Sequence, residues 1–374
     1  MALQAADNPS GFSTAVRDAW LSRNYMSLFT QRSPLWRMMA MSGRIQPSGY
    51  GVQMREPLMV PVDTGPQLQG QSNAYATIDA QPMTGFTQAE WLLSEYAINV
   101  SWQDYDMKRA GGKVEMVNWI QAIHENALER SDNKLMNDLW AAPEGPLTIG
   151  GRTQIMSLRT ALNGGTTSTS GANILPVQAS QIQAPVVSAT GATAQTTVGN
   201  IPRTATGAAY WCTPLINGSI YSPGATPLTV QILNDTMEEA IQENKSPKLC
   251  ICPSGLFSKL QNLLTIGGSN GGLVFHEADT ARFGFHHLYF RGMRIVVDRR
   301  CPTAGFISGT ATAVNNHMFC INTDYLTLRM DGNRPKFKTV VEPKLIEEEL
   351  GSMYLALTSR HLGNVHCVNY NLTQ

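Results

Sequence analysis

The stretch RFGFHHLYFRGMRIVVDRRCP, residues 282–302, concentrates more reactive side chains than any other part of the chain: two adjacent histidines, a run of arginines, an aspartate and a cysteine. Metal ligation or acid–base catalysis is the chemistry such a set could do. Neighbours on a strand point to opposite faces, so His286 and His287 cannot both ligate one ion, and they are expected as surface or interface histidines. Cys250 and Cys252 do share a face, yet two thiolates without further His or Cys at ligand spacing leave a zinc set incomplete, and buried apolar thiols are expected instead. His124 and Glu125 fall on a helical pattern and read as a solvated or locally hydrogen-bonded pair. The acidic run Glu347, Glu348 and Glu349 reads as a solvated turn or an intersubunit ion-pair partner. TIGGSNGGLVF, residues 265–275, follows a helix and opens none, so it lacks the context of a phosphate cradle. No nucleophile elbow, P-loop, dinucleotide fingerprint or H-E-x-x-H is present. No catalytic, metal or cofactor site is expected, and the chain is not expected to be an enzyme.

The elements that would hold these residues are uneven in character. HHLYF and MRIVVD form a hairpin turning at Arg291 and Gly292. Upstream, GYGVQMREPLMVPVD places Val52, Met54, Leu58, Val60 and Val62 at even positions, and WLLSEYAINVSW puts Leu92, Tyr96, Ile98, Val100 and Trp102 on one face with Ser94 the exception. About 27 residues rich in Gly, Gln, Thr and Pro separate the two strands, too many for a tight turn, so a long two-stranded projection is expected that needs a partner for stability. KVEMVNWIQAIHENALERSDNKLMNDLW carries Met116, Ile120, Ile123, Ala127, Leu128, Leu135 and Leu139 in one stripe, stopped by Pro143 and Gly145; this predicts a helix of roughly 28 residues, about 42 Å long.

Residues 1–45 read as an arm with short helices, Val16, Trp20 and Leu21 on one face and Pro34 interrupting the helical pattern beyond them; it is too poor in apolar residues to bury itself and is expected to lie on another surface. Between Arg159 and Arg203 no charged residue occurs, which predicts a long surface insertion. The last half alternates an amphipathic helix with Leu228, Ile232, Met237 and Ile241 as its apolar face, a short buried strand PKLCICP, a helix SGLFSKLQNLL and several strands. Mixed helices with mostly antiparallel strands give an α+β fold.

Of the 374 residues, 43% are hydrophobic, enough to fill cores, whereas only 15% are charged, so much of the surface must be neutral polar or covered by protein. Lys plus Arg and Asp plus Glu number 28 each, which removes the global field that would hold a polyanion. The one basic region is the N-terminal segment with Arg17, Arg23, Arg32, Arg37 and Arg44 against Asp7 and Asp18. Six cysteines without CxxC spacing fit reduced thiols. No membrane span is expected, and MALQAADNPSG has neither the basic flank nor the apolar core of a signal peptide.

An arm, a projecting hairpin, a bracing helix and a weakly charged surface each expose something a neighbour must cover, which describes a repeating subunit of a closed shell. The segments GYGVQMREPL, FTQAEWLLSEYAINVSWQDYDMKRAGGKVEMVNWIQ, SDNKLMNDLW, PKLCICPSGLFSKL, ARFGFHHLYFRGMRIVVDRRCP, NHMFCINTDYLTLRMDGNRPKF and SMYLALTSRHLGNVHCV, in that order, resemble the major capsid proteins of tailed bacteriophages from about Gly49 onward. FRGMRIVVD and NHMFCINTDYL are the most specific pieces. VGNIPRTATGAAYW resembles the family's segment leading into the peripheral helix region, with Arg203 at the matching basic position.

The resemblance implies the tailed-phage major capsid fold: an N-terminal arm (1–45), an extended β-hairpin loop (46–90), a peripheral domain (91–150) with a long spine helix (113–142), an axial domain (151–320) with an insertion near 165–197, and return strands (321–374). It implies a non-enzymatic subunit forming pentamers and hexamers of an icosahedral head around double-stranded DNA, assembled in the host bacterial cytoplasm and resident in the virion, with scaffolding, portal and decoration proteins as further partners. Arg55, Glu56, Trp91, Arg203, Glu347 and Glu348 are the intersubunit contact candidates; the five N-terminal arginines are the inner-surface, DNA-facing candidates. An encapsulin-like compartment enclosing a cargo enzyme keeps the fold and changes the contents. A cytosolic β-rich hydrolase with a degenerate site is the alternative from another class.

Overall fold

The computed structural model describes residues 33–48, 53–59, 86–103, 113–140, 155–162, 197–198, 201–202, 211, 213, 215–217, 226–241, 245–266, 273–275, 285–301, 316–331, 336–340, 346–363 and 365–373. Elements run in the order α1 (Pro34–Met41), β1 (Ile45–Pro47), β2 (Gln53–Met59), β3 (Phe86–Leu92), β4 (Ser94–Gln103), α2 (Lys113–Leu139) and α3 (Leu158–Ala161). They continue with β5 (Thr197–Val198), β6 (Ile201–Pro202), β7 (Leu215–Asn217), β8 (Thr226–Pro227), α4 (Val230–Glu239), β9 (Leu249–Cys252) and α5 (Ser254–Ile266). The last are β10 (Leu273–Phe275), β11 (His287–Phe290), β12 (Met293–Val297), β13 (Asn316–Ile321), β14 (Leu326–Met330), β15 (Lys336–Val340), β16 (Ile346–Ser359) and β17 (Cys367–Thr373). The fold is α+β.

Two sheets organise the molecule. In the five-stranded sheet the 14-residue β16 is central. It pairs antiparallel with β4 along one edge and with β14 and then β15 along the other, and β1 joins β14 in parallel. Between the pairs Met330–Leu355 and Lys336–Ser352, one edge advances six residues while β16 advances three; residues 332–335 lie outside the described residues. The eight-stranded sheet has the order β10-β11-β12-β9-β13-β17-β7 with β8 also on β17. Its centre, Leu249–Cys252, is buried at every position, as a strand covered on both faces must be.

Helix α2 lies on β4, whose Ser94, Tyr96, Ile98, Val100 and Trp102 are buried while Glu95, Ala97, Asn99 and Ser101 are exposed. Ser94 therefore belongs to the inner face. Leu93 breaks the strand, and the break changes phase, so that Ala89 and Trp91 are the inward residues of β3. Helix α1 corrects the expectation that the arm through residue 45 lies on another surface: Leu35, Trp36, Met38 and Met39 are buried in the chain's own core, and the Trp36 indole N–H donates to Met136 Sδ at 3.0 Å. Pro34 opens this helix rather than interrupting it, because the first helical turn needs no N–H donor. Ile241 is a second correction: α4 ends at Glu239, Ala240 takes the buried place, and Ile241 stands 47% exposed. The hairpin turn at Arg291 and Gly292 has positive φ at both residues, 48° and 87°, the combination that a two-residue connection between twisted strands requires.

Candidate assembly interface

The projecting hairpin is paired from Gln53–Leu92 to Met59–Phe86. Residues 60–85, the rest of the expected projection, lie outside the described residues. Arg55 and Glu90 are cross-strand partners on its outer side, Nε to Oε1 at 3.2 Å, with the Arg55 side chain 62% exposed. Glu56 faces the other way and is buried. Its Oε1 accepts from Arg329 Nη2 at 2.6 Å and Nε at 3.2 Å, its Oε2 accepts from Arg360 Nε at 2.9 Å, and Arg329 Nη1 reaches Gln46 Oε1 at 2.7 Å. Burial alone would push the Glu56 carboxyl up, but the hydrogen bonds and charges of the two arginines outweigh it and hold the group below its ordinary range. One carboxylate thus ties the root of the hairpin to β14 and to the end of β16.

The other interface candidates fall in different places. Trp91 is buried in the root of the same hairpin, its ring 6.3 Å from that of Trp211. Glu347 and Glu348 lie on β16 opposite Trp102 and Ser101, and their side chains are outside the described residues. Arg37 sits half-buried on α1; Arg44 follows it, half-buried, with its carbonyl accepting the Leu328 N–H at 2.9 Å. Arg17, Arg23, Arg32 and Arg203 lie outside the described residues. The structure therefore brings Arg55, Glu56 and Trp91 together at the hairpin root and does not join the others to them.

The residues with chemical potential are dispersed as scaffold. His286 is exposed and His287 buried, the opposite facing that a strand imposes. Cys250 and Cys252 are buried in β9; Cys250 Sγ lies 3.3 Å from Cys320 Sγ on β13, and burial pushes the thiols of Cys250, Cys252 and Cys367 up, away from thiolate reactivity. Among the described residues no group of three or more His, Cys, Asp or Glu could hold a metal ion, and no helix is long and apolar enough to cross a membrane.

Two sequence expectations change here. His124 is not solvated: it is 1% exposed, its Nδ1 within 2.9 Å of the Ile120 carbonyl and its Nε2 3.0 Å from Glu349 Oε2. Glu349, taken with its neighbours as a solvated turn or intersubunit partner, is instead buried under α2 inside the same subunit. Sequence separation hid this pair, as it hid Arg329 and Arg360. The signal that could have found both carboxylates is phase. Glu56 sits between Met54 and Leu58 in the inward register, and Glu349 is in register with Met353, Leu355 and Leu357.

No family model matches the sequence, and no curated protein matches it. Among solved structures, the capsid of cyanophage A-1(L) superposes with a TM-score of 0.57 at 13% identity, covering 89% of this chain and 91% of that one. The chain has the tailed-phage capsid fold. The capsid of a native GTA particle aligns at a TM-score of 0.49 and 8% identity, covering 91% of each chain. The holo-SrpI encapsulin complex of Synechococcus elongatus aligns at 0.48 and 11%, covering 92% of this chain and 90% of that one. Helix α2 lies on β4, and the eight-stranded sheet packs one face against α4 and α5 while its other face shares one buried core with the five-stranded sheet.

Proposed function

We propose that this chain is a major capsid protein, a non-enzymatic shell subunit that self-associates into the pentamers and hexamers of an icosahedral phage head around double-stranded DNA. The observation that carries the proposal is the tailed-phage capsid fold, matched over nine-tenths of the chain to a cyanophage capsid subunit. Supporting it, the hairpin at 53–92 stands on a buried carboxylate with two arginine partners, an anchor suited to an element that reaches a neighbouring subunit. In this reading residues 1–45 form the arm, 46–90 the extended loop, 91–150 the peripheral unit with its spine helix, 151–320 the axial unit with the insertion near 165–197, and 321–374 the return strands.

Arg55, Glu56, Trp91, Arg203, Glu347 and Glu348 serve the contacts between subunits, Glu56 and Trp91 by fixing the hairpin root. Arg17, Arg23, Arg32, Arg37 and Arg44 face the packaged DNA, whose binding is non-specific and screened by salt. Scaffolding, portal and decoration proteins complete the particle; its place is the virion, and its assembly belongs to the host cytoplasm.

Expression of the full chain alone, followed by light scattering and electron microscopy, tests the proposal. Closed particles or five- and six-membered rings support it, whereas a monodisperse monomer refutes it. Particles that purify with one protein cargo and no nucleic acid would point instead to an encapsulin-like compartment.

A further inference from the structure

Of the chain's passages between its two sheets, two are short. Residues 322–325 lead from β13 to β14, and residues 360–366 lead from β16 to β17. These two strands of chain lie side by side: the Arg360 N–H donates to the Tyr325 carbonyl at 3.1 Å, and the rings of Tyr325 and His361 are 5.5 Å apart. Together they form a waist. The imidazole of His366 is fully buried in it and joins one connection to the other.

The protonation pattern of that ring is set by its partners. The Asn322 backbone N–H, which can only donate, points at His366 Nδ1 at 3.1 Å. Nε2 lies 3.1 Å from the His361 carbonyl, which can only accept. The ring is therefore neutral, with its proton on Nε2. A second proton on Nδ1 would set N–H against N–H and break the link to Asn322. Burial also disfavours the cation and lowers the group to about 3, with the charge of His361 acting in the same direction and the hydrogen bond to the His361 carbonyl opposing it.

The charged groups around the waist offer the cation no relief. Asp324 is engaged by Lys248 at 2.5 Å, Arg360 by Glu56 at 2.9 Å, and Lys245 stands 5.5 Å from the Tyr325 ring. Thr213 holds the Leu362 carbonyl at 2.5 Å from the eight-stranded side.

We infer that His366 is an acid-released clip: neutral, it fastens the two connections to each other, and its protonation undoes that link and loosens the waist. The clip would operate whether or not the chain builds a shell, because it concerns joints within one subunit.

Amide hydrogen exchange of the full chain, followed from pH 7.5 to 4.5 and corrected for intrinsic rates, tests it. Peptides covering 316–331 and 357–370 should lose protection progressively below pH 6.5, by up to tenfold per pH unit, while a peptide covering 249–266 stays protected. The variant His366→Gln, which keeps a donor and an acceptor but cannot titrate, should hold its waist protection constant across the range. A flat wild-type profile overturns the inference, and so does a His366→Gln profile that falls as the wild type does. If that variant does not fold, Glu56→Gln and His361→Gln decide, since they remove the carboxylate tied to the waist and the imidazole whose Nδ1 accepts the Gly363 N–H at 3.1 Å. Acid loss retained in both variants supports the clip, and acid loss abolished in either assigns the response to that group and overturns it.

Discussion

The inner face of the eight-stranded sheet is lined by apolar side chains and thiols, Cys250, Ile295, Met318, Cys320 and Leu372 among them. The five-stranded sheet and its hairpin are instead organised around buried polar pairs, with Glu349 facing His124 under α2 and Glu56 held by Arg329 and Arg360. Apolar burial is non-directional and indifferent to pH, so the first region is held by volume and area. Buried ion pairs add little net stability but tolerate only one arrangement, because a displaced partner leaves an uncompensated charge. The contrast teaches a division of labour. One sheet supplies bulk cohesion, and the other fixes where a helix and a projecting hairpin sit.

The comparison breaks first at the dry side. Phe290→Ala on β11 empties a buried site of that face and should cost about 4 kcal/mol in denaturant unfolding at every pH tested. A pH-dependent loss would show that this region too relies on charge. On the charged side, Glu349→Leu alone strands His124 and should cost about 3 kcal/mol, whereas Glu349→Leu combined with His124→Leu should recover most of that loss. Equal costs for the single and double variants would mean that the pair is not the organising feature.

Next in size, Glu56→Gln should lower stability by about 2 kcal/mol at pH 7, since charge-assisted hydrogen bonds are lost. Because the folded-state group titrates below its ordinary value of 4.5, this contribution is present above that value and disappears as pH falls through the folded one. His366 acts in the same direction over a different window. Its folded value of about 3 lies below the ordinary 6.5, so the unfolded chain takes up the proton first and stability declines as pH drops from about 6.5 toward 3. Urea midpoints measured from pH 7.5 to 4.5 should fall in the wild type and fall less in His366→Gln. The smallest effect belongs to Arg55→Ala, whose exposed pair with Glu90 should contribute at most about 0.5 kcal/mol and vanish in high salt.

Much of the frame could be read from local pattern. The stripe from Ile120 to Leu139 gave the long helix, though its end at Leu139 precedes the expected 142, and alternation gave β2, β4 and the Arg291–Gly292 hairpin. Phase errors arose where one residue interrupts the period, as Leu93 does, or where a proline that seems to stop a helix instead starts one, as Pro34 does. What stayed hidden is pairing at long sequence separation. Arg360 and Glu56 are 304 residues apart, and His124 and Glu349 are 225 apart. No local rule joins such residues; only the sheet order, which depends on tertiary packing, brings them together.

The difference in residue count between β16 and the edge formed by β14 and β15 bears on engineering. Pairing with β16 is in register up to Met330 and again from Lys336, although the residue counts of the two edges between those points differ by three. A foreign peptide spliced between Met330 and Lys336 would add to that difference in count, leaving both flanking registers as they are. That makes this edge the first place to graft an epitope or an affinity tag for display on whatever the chain assembles into.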